Sequence, residues 1–64
     1  MKVLLNGKEM LVFSVARFPN VQPGYVQINI GTTMPESGIT IPQWWWDSDQ
    51  KGSIRTSGNK ITKL

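Results

Sequence analysis

The side chains that could carry chemistry are few. The chain has 64 residues with no histidine and no cysteine. That removes the usual general base, the thiol nucleophile, and the imidazole and thiolate metal ligands. The remaining carboxylates are Glu9, Glu36, Asp47 and Asp49. A glycosidase holds a carboxylate pair at a set separation across a cleft. A domain of this size has little room for such a cleft. The serine and threonine hydroxyls have only lysine as a partner base. No catalytic residue is assigned, and an enzyme is not expected.

Asp47-Ser48-Asp49-Gln50-Lys51-Gly52-Ser53-Ile54 resembles the start of an EF-hand calcium loop. Acids stand first and third, glycine sixth and an aliphatic eighth. Lys51 places a cation where a ligand oxygen belongs. Gly58 stands where the bidentate glutamate belongs. The segment reads instead as a turn, with Gly52 at a left-handed position. No metal and no cofactor are expected.

Chemistry of binding is better represented. Trp44-Trp45-Trp46 is a run of consecutive indoles. In an extended strand Trp44 and Trp46 share one face and Trp45 takes the other. A thin core has no room for both sets. The expectation is that Trp45 packs inside on Val26, Ile28, Ile30 and Ile54. Trp44 and Trp46 then form an exposed contact patch, because exposed tryptophan tends to anchor a partner. Tyr25 and Gln43 are the other candidate partner-binding residues.

A second reading uses the charges. Net charge is +3. Residues 18–50 contain acids and no base, whereas 51–64 contain Lys51, Arg55, Lys60 and Lys63 and no acid. Bases of a single strand could stack on the tryptophans while these cations track the phosphates. Asp47 and Asp49 beside the indoles oppose that. A solvated strand face is the plainer account of the basic end. Sugar stacking on the tryptophans, with Asp47, Asp49 and Gln43 as polar neighbours, is a further binding chemistry.

The elements that must position these residues are short. Punctuation is frequent and helical periodicity is absent, which favours an all-β domain. Asn6-Gly7 predicts a two-residue hairpin turn between Val3–Leu5 and Lys8–Val15, with Leu5 facing Lys8. The second strand is apolar on both parities, which predicts cover on both faces. Tyr25 to Ile30 alternates, with Val26, Ile28 and Ile30 on one side. Gly31 to Gly38 reads as a loop and Ile39-Thr40-Ile41 as a strand. Pro42 marks either an edge strand with a bend or the start of a short helical turn over the tryptophans, and the strand is favoured. Ser53–Ser57 and Lys60–Leu64 flank Gly58-Asn59, a second hairpin, with Ile54 and Ile61 facing inward. The expected fold is one domain over 1–64, a small antiparallel meander of five to six short strands, barrel-like or strongly bent.

Near 60 residues a chain buries only about 60% of the surface its unfolded form exposes. Disulfides are excluded, so oligomerisation or a seat in a larger assembly is the expected remedy. No apolar run is long enough for a signal peptide or a membrane span. The start at Met1 suggests a complete short reading frame. Such frames are common in phages and other mobile elements. The expected function is therefore a non-enzymatic protein-interaction module, an inhibitor of a host complex or a small virion component, in the host cytoplasm or the virion. A homo-oligomer or a bound subunit is expected, with a protein partner or self-association, no membrane, and nucleic-acid binding as the alternative.

Overall fold

Asn6 and Gly7 turn the chain with φ of 51° and 87°. That left-handed pair is what a two-residue hairpin turn requires. The turn joins β1 (Lys2–Leu5) to β2 (Lys8–Arg17). Leu5 stands opposite Lys8, Leu4 opposite Glu9 and Val3 opposite Met10, in the register read from the sequence. Asn6 also reaches the far end of the chain. Its backbone N–H donates to Lys60 O at 2.8 Å. Its Oδ1 accepts from Lys60 N at 2.9 Å and its Nδ2 donates to Asn59 Oδ1 at 3.0 Å. One residue thus closes the first hairpin and pins the last strand beside it.

The computed structural model describes all residues, 1–64. After β2 come β3 (Tyr25–Gly31), β4 (Ser37–Pro42), α1 (Gln43–Asp47), β5 (Gly52–Thr56) and β6 (Asn59–Lys63). The strands form one sheet of order β4-β3-β2-β1-β6-β5, antiparallel at every pairing. The all-β, barrel-like reading holds. The meander runs from β1 to β4 only. α1 then carries the chain across to β5, and the closing hairpin joins β1 through β6. The two outer strands face each other across the remaining gap, where Thr56 Oγ1 donates to Thr40 O at 2.7 Å. The sheet is a nearly closed barrel.

Its interior holds Val3, Val26, Ile28, Ile30, Ile39, Ile41, Trp45 and Ile61. The alternation of β3 does what its period dictates: Val26, Ile28 and Ile30 are buried, and Tyr25, Gln27 and Asn29 face out. At the end of β3, a side chain on Gly31 would overlap the carbonyl oxygen of Met34, so only glycine fits. Glu36 holds this connection, its carboxylate accepting from Thr32 N at 2.7 Å and Thr32 Oγ1 at 3.0 Å.

β2 departs from expectation. It is not covered on both faces: Leu11, Phe13 and Val15 are 36%, 40% and 38% exposed. The register slips between Val12 and Ser14, which makes Phe13 the extra residue of a β-bulge. Before it, Met10 and Val12 pack on the core. After it, Val15 stands opposite Ile28 and Arg17 opposite Val26. The strand is apolar on both parities because the bulge changes which parity faces the core.

Two boundaries also move. β4 begins at Ser37 rather than Ile39. The last hairpin turns on Ser57 and Gly58, with φ of 51° and 79°, rather than on Gly58-Asn59. That register sets Ile54 directly against Ile61 and leaves Asn59 free to meet Asn6. The polar outer face survives, with Ser53 and Thr62 hydroxyls 2.7 Å apart. No helix is long and apolar enough to cross a membrane.

Replacing Gly7 with valine forces a β-branched residue to φ of 87°. Urea denaturation should show a loss of more than about 1 kcal/mol. A variant as stable as the wild type would mean that the turn does not set the register.

Candidate functional site

The tryptophans lie in a helical turn, not in a strand. Pro42 keeps extended angles, φ −61° and ψ 134°, and α1 follows from Gln43 to Asp47. The reason is indole burial. Continued as a strand past Ile41, the chain would point Trp45 inward and leave Trp44 and Trp46 on the outside. In a helix successive side chains turn by about 100°, so Trp44 and Trp46 point to nearly opposite sides. Trp45 is then buried, Trp46 packs on the core, and Trp44 alone is exposed, at 69%. The expected burial of Trp45 and exposure of Trp44 are met. Trp46 is not an exposed anchor, and the expected Trp44–Trp46 patch does not exist.

Lys63 holds this arrangement. It stands opposite Val3 in the β1–β6 pairing, so it faces the interior. Its side chain is buried, and Nζ donates to Trp45 O at 2.7 Å and Ser48 O at 2.8 Å. The carbonyls at a helix C-terminus lack partners of their own and favour a cation. The same ammonium lies 4.8 Å from the centre of the Trp45 ring, within cation–π range. Lys63 therefore does not belong with the surface cations Lys51, Arg55 and Lys60. Strand parity carried the signal, because Ile61 and Lys63 share a face.

A second tie joins α1 to β2. Arg17 Nη2 donates to Asp47 Oδ1 at 2.9 Å, with Nη1 at 3.4 Å from Oδ2. The hydrogen bond from Arg17 holds the Asp47 carboxyl below its ordinary value. The backbone N–H of Thr32 does the same for Glu36. Asp47, first place of the calcium-like segment, is thus a helix residue bound to a guanidinium. Asp49 and Lys51 line a shallow recess of about 100 Å³ with Met1, Ser48, Gln50, Lys63 and Leu64. The chain brings no three acid side chains together in a metal-binding group.

Other exposed side chains lie beside the start of α1 or on the loop that leads to Tyr25. Gln43 N donates to Gly24 O at 2.9 Å, and Tyr25 stands opposite Pro42. Arg17 pairs with Val26, so Phe18 follows at the level of Tyr25. Val21 N and Gln22 N both donate to Phe18 O, at 3.0 and 2.8 Å. Phe18, Val21, Tyr25 and Trp44 are all exposed. The sequence reading named Tyr25, Gln43 and Trp44. It missed Phe18 and Val21, which sit in a loop whose folding-back no periodicity reports. Arg55 stands opposite Lys60 on the β5–β6 face. β1, β5 and β6 carry no aromatic residue. Arg17, at the end of β2, is paired with Asp47.

Lys63→Met should leave the Trp45 and Ser48 carbonyls without a partner and cost about 1–3 kcal/mol in chemical denaturation. Trp45→Ala should cost about 3–5 kcal/mol, whereas Trp44→Ala should stay within about 0.5 kcal/mol of the wild type. Equal losses at all three would contradict these placements. Asp47 and Glu36 set the acid limit. Their folded pKa values lie below the unfolded ones, so their contribution is present above the unfolded values and is lost as pH falls through the folded ones. Stability should hold from neutrality to about pH 5 and decline below about pH 4. The Arg17→Gln variant should lose part of that acid decline, and an identical pH profile would remove the Asp47 pair as its source.

The chain matches no protein-family model, no curated protein and no solved structure with significance.

Proposed function

We propose that this chain is a non-enzymatic protein-interaction module that docks on a partner through Trp44. Tyr25 and Gln43 lie beside the start of its helix, and Phe18 and Val21 lie on the loop that leads to Tyr25. The observation that carries the reading is the 69% exposure of Trp44 beside two indoles that pack inward. An exposed indole on a short helix pinned by Lys63 and Arg17 is a preorganised contact. Its ordering is complete before binding, and preorganisation reduces the entropy lost on association. The setting we propose, on chain length alone, is a phage- or mobile-element-encoded inhibitor of a host complex or a small virion component.

A single-stranded nucleic-acid binder needs aromatics and cations on one surface. Here Trp44 and Tyr25 lie on the β3–α1 side, and Lys51, Arg55 and Lys60 lie in or next to the closing hairpin. Asp47 and Asp49 beside the indoles would repel phosphate, which favours the protein partner.

The test is capture from cell lysate by immobilised wild type and Trp44→Ala, with and without nuclease. A protein should be retained at high salt and after nuclease. The Trp44→Ala variant should remain folded and lose at least about 2 kcal/mol, or roughly thirtyfold, in affinity. Equal capture by the variant would remove Trp44 as anchor. Capture abolished by nuclease or moderate salt would favour the nucleic-acid reading.

A further inference from the structure

One stretch of strand lacks a neighbour. β1 pairs with β2 from Lys8 to Leu11 only, and the last link is Val12 N donating to Met1 O at 2.9 Å. Past that point no strand flanks β2 on the side away from β3. α1 packs mainly on β3 and β4 and reaches β2 through the Arg17–Asp47 pair at its end. The formal edges β4 and β5 face each other and are bridged by Thr56. Pro42 further blunts β4. Phe13 to Arg17 is therefore the open edge of the barrel.

The bulge makes this edge unusual. It turns Val15 toward the interior, opposite fully buried Ile28. Val15 is nevertheless 38% exposed. A core-facing valine stays wet because the strand that would shield it is missing.

We propose that a second copy of this chain supplies that strand. β2 pairs antiparallel with β2 of the second copy, about a two-fold axis through Val15. Val15 then meets Val15, Ser14 meets Ala16, and Phe13 meets Arg17 of the other copy. Charge selects this occupant. Met10 to Ala16 carries no charge, and the Arg17 cation is already neutralised by Asp47 at 2.9 Å. Self-pairing opposes no like charges, and it sets a guanidinium beside an aromatic ring. The basic residues Arg55 and Lys60 sit on β5 and β6, away from the axis. A charged peptide would find no complementary group on this edge. The dimer also answers the size problem. A core of eight buried apolar side chains gains the shielding of Val15 and Phe13, and the edge amides gain partners. Because the edge is short and ends at a bulge, pairing closes after two copies and does not extend into a fibre.

The two-fold axis sets residue 15 against itself, which makes the test specific. Sedimentation of the wild type should give twice the chain mass of 7.2 kDa. Val15→Lys and Val15→Glu should each be folded monomers by circular dichroism, since like charges meet at the axis. An equimolar mixture of the two should regain the dimer. Trp44→Ala should remain dimeric, which separates this interface from the docking surface. A wild type that is monomeric at the concentration of an NMR sample would overturn the proposal. So would a Val15→Lys dimer, or folded monomers that do not combine. If the charged variants do not fold, hydrogen exchange of the wild type decides. Amides of residues 13–17 should be protected and lose protection on dilution. Unprotected amides at every concentration would overturn the pairing.

Discussion

The architecture of the candidate site depends on one buried ammonium. Lys63 ends β6 facing the interior, and its Nζ binds the carbonyls of Trp45 and Ser48 at 2.7 and 2.8 Å. A buried lysine is unfavourable unless its protons find acceptors. The end of a helix offers carbonyls that lack acceptors' usual donors. Each requirement satisfies the other. The consequence is geometric: α1 cannot rotate without breaking both bonds, so Trp45 stays inside and Trp44 stays in water. The pair of Arg17 and Asp47 fixes the same helix from β2, but it is exposed and contributes modestly.

Asn6 plays the matching part at the other end of the barrel. Its left-handed backbone turns the first hairpin, and its amide joins Asn59 and Lys60 of the last. β6 is thereby held beside β1 along its length, which is what brings Lys63 under α1. A chain without cysteine holds its barrel with a few polar side chains and a core of seven aliphatic residues and one indole. That economy leaves one length of β2 unflanked and one indole unburied. Both are surfaces that a partner can complete.

Much of this was legible in the residues, and the reasons are local. Asn6-Gly7 allows one turn and hence one register. β3 alternates cleanly, so its buried set follows from strand geometry. The bulge at Phe13 could not be read, because an apolar run on both parities looks the same whether it is covered twice or shifted once. The tryptophans were misread as a strand because period-two reasoning gives no weight to how much indole each conformation buries. Pro42 permitted both. Lys63 was grouped with surface cations by charge, although its parity with Ile61 placed it inside. The folding-back of the loop that holds Phe18 and Val21 before Tyr25 is a property of the turn and the register, which no single segment encodes.

The central claim is that a pinned helical turn divides the tryptophans, one out and two in. The three indole N–H resonances report it directly when a soluble paramagnetic probe is titrated into the folded protein. Trp44 should broaden first, Trp46 partly, and Trp45 hardly at all. Equal broadening of Trp44 and Trp46, with Trp45 spared, is what an extended segment would produce, and it would contradict the account.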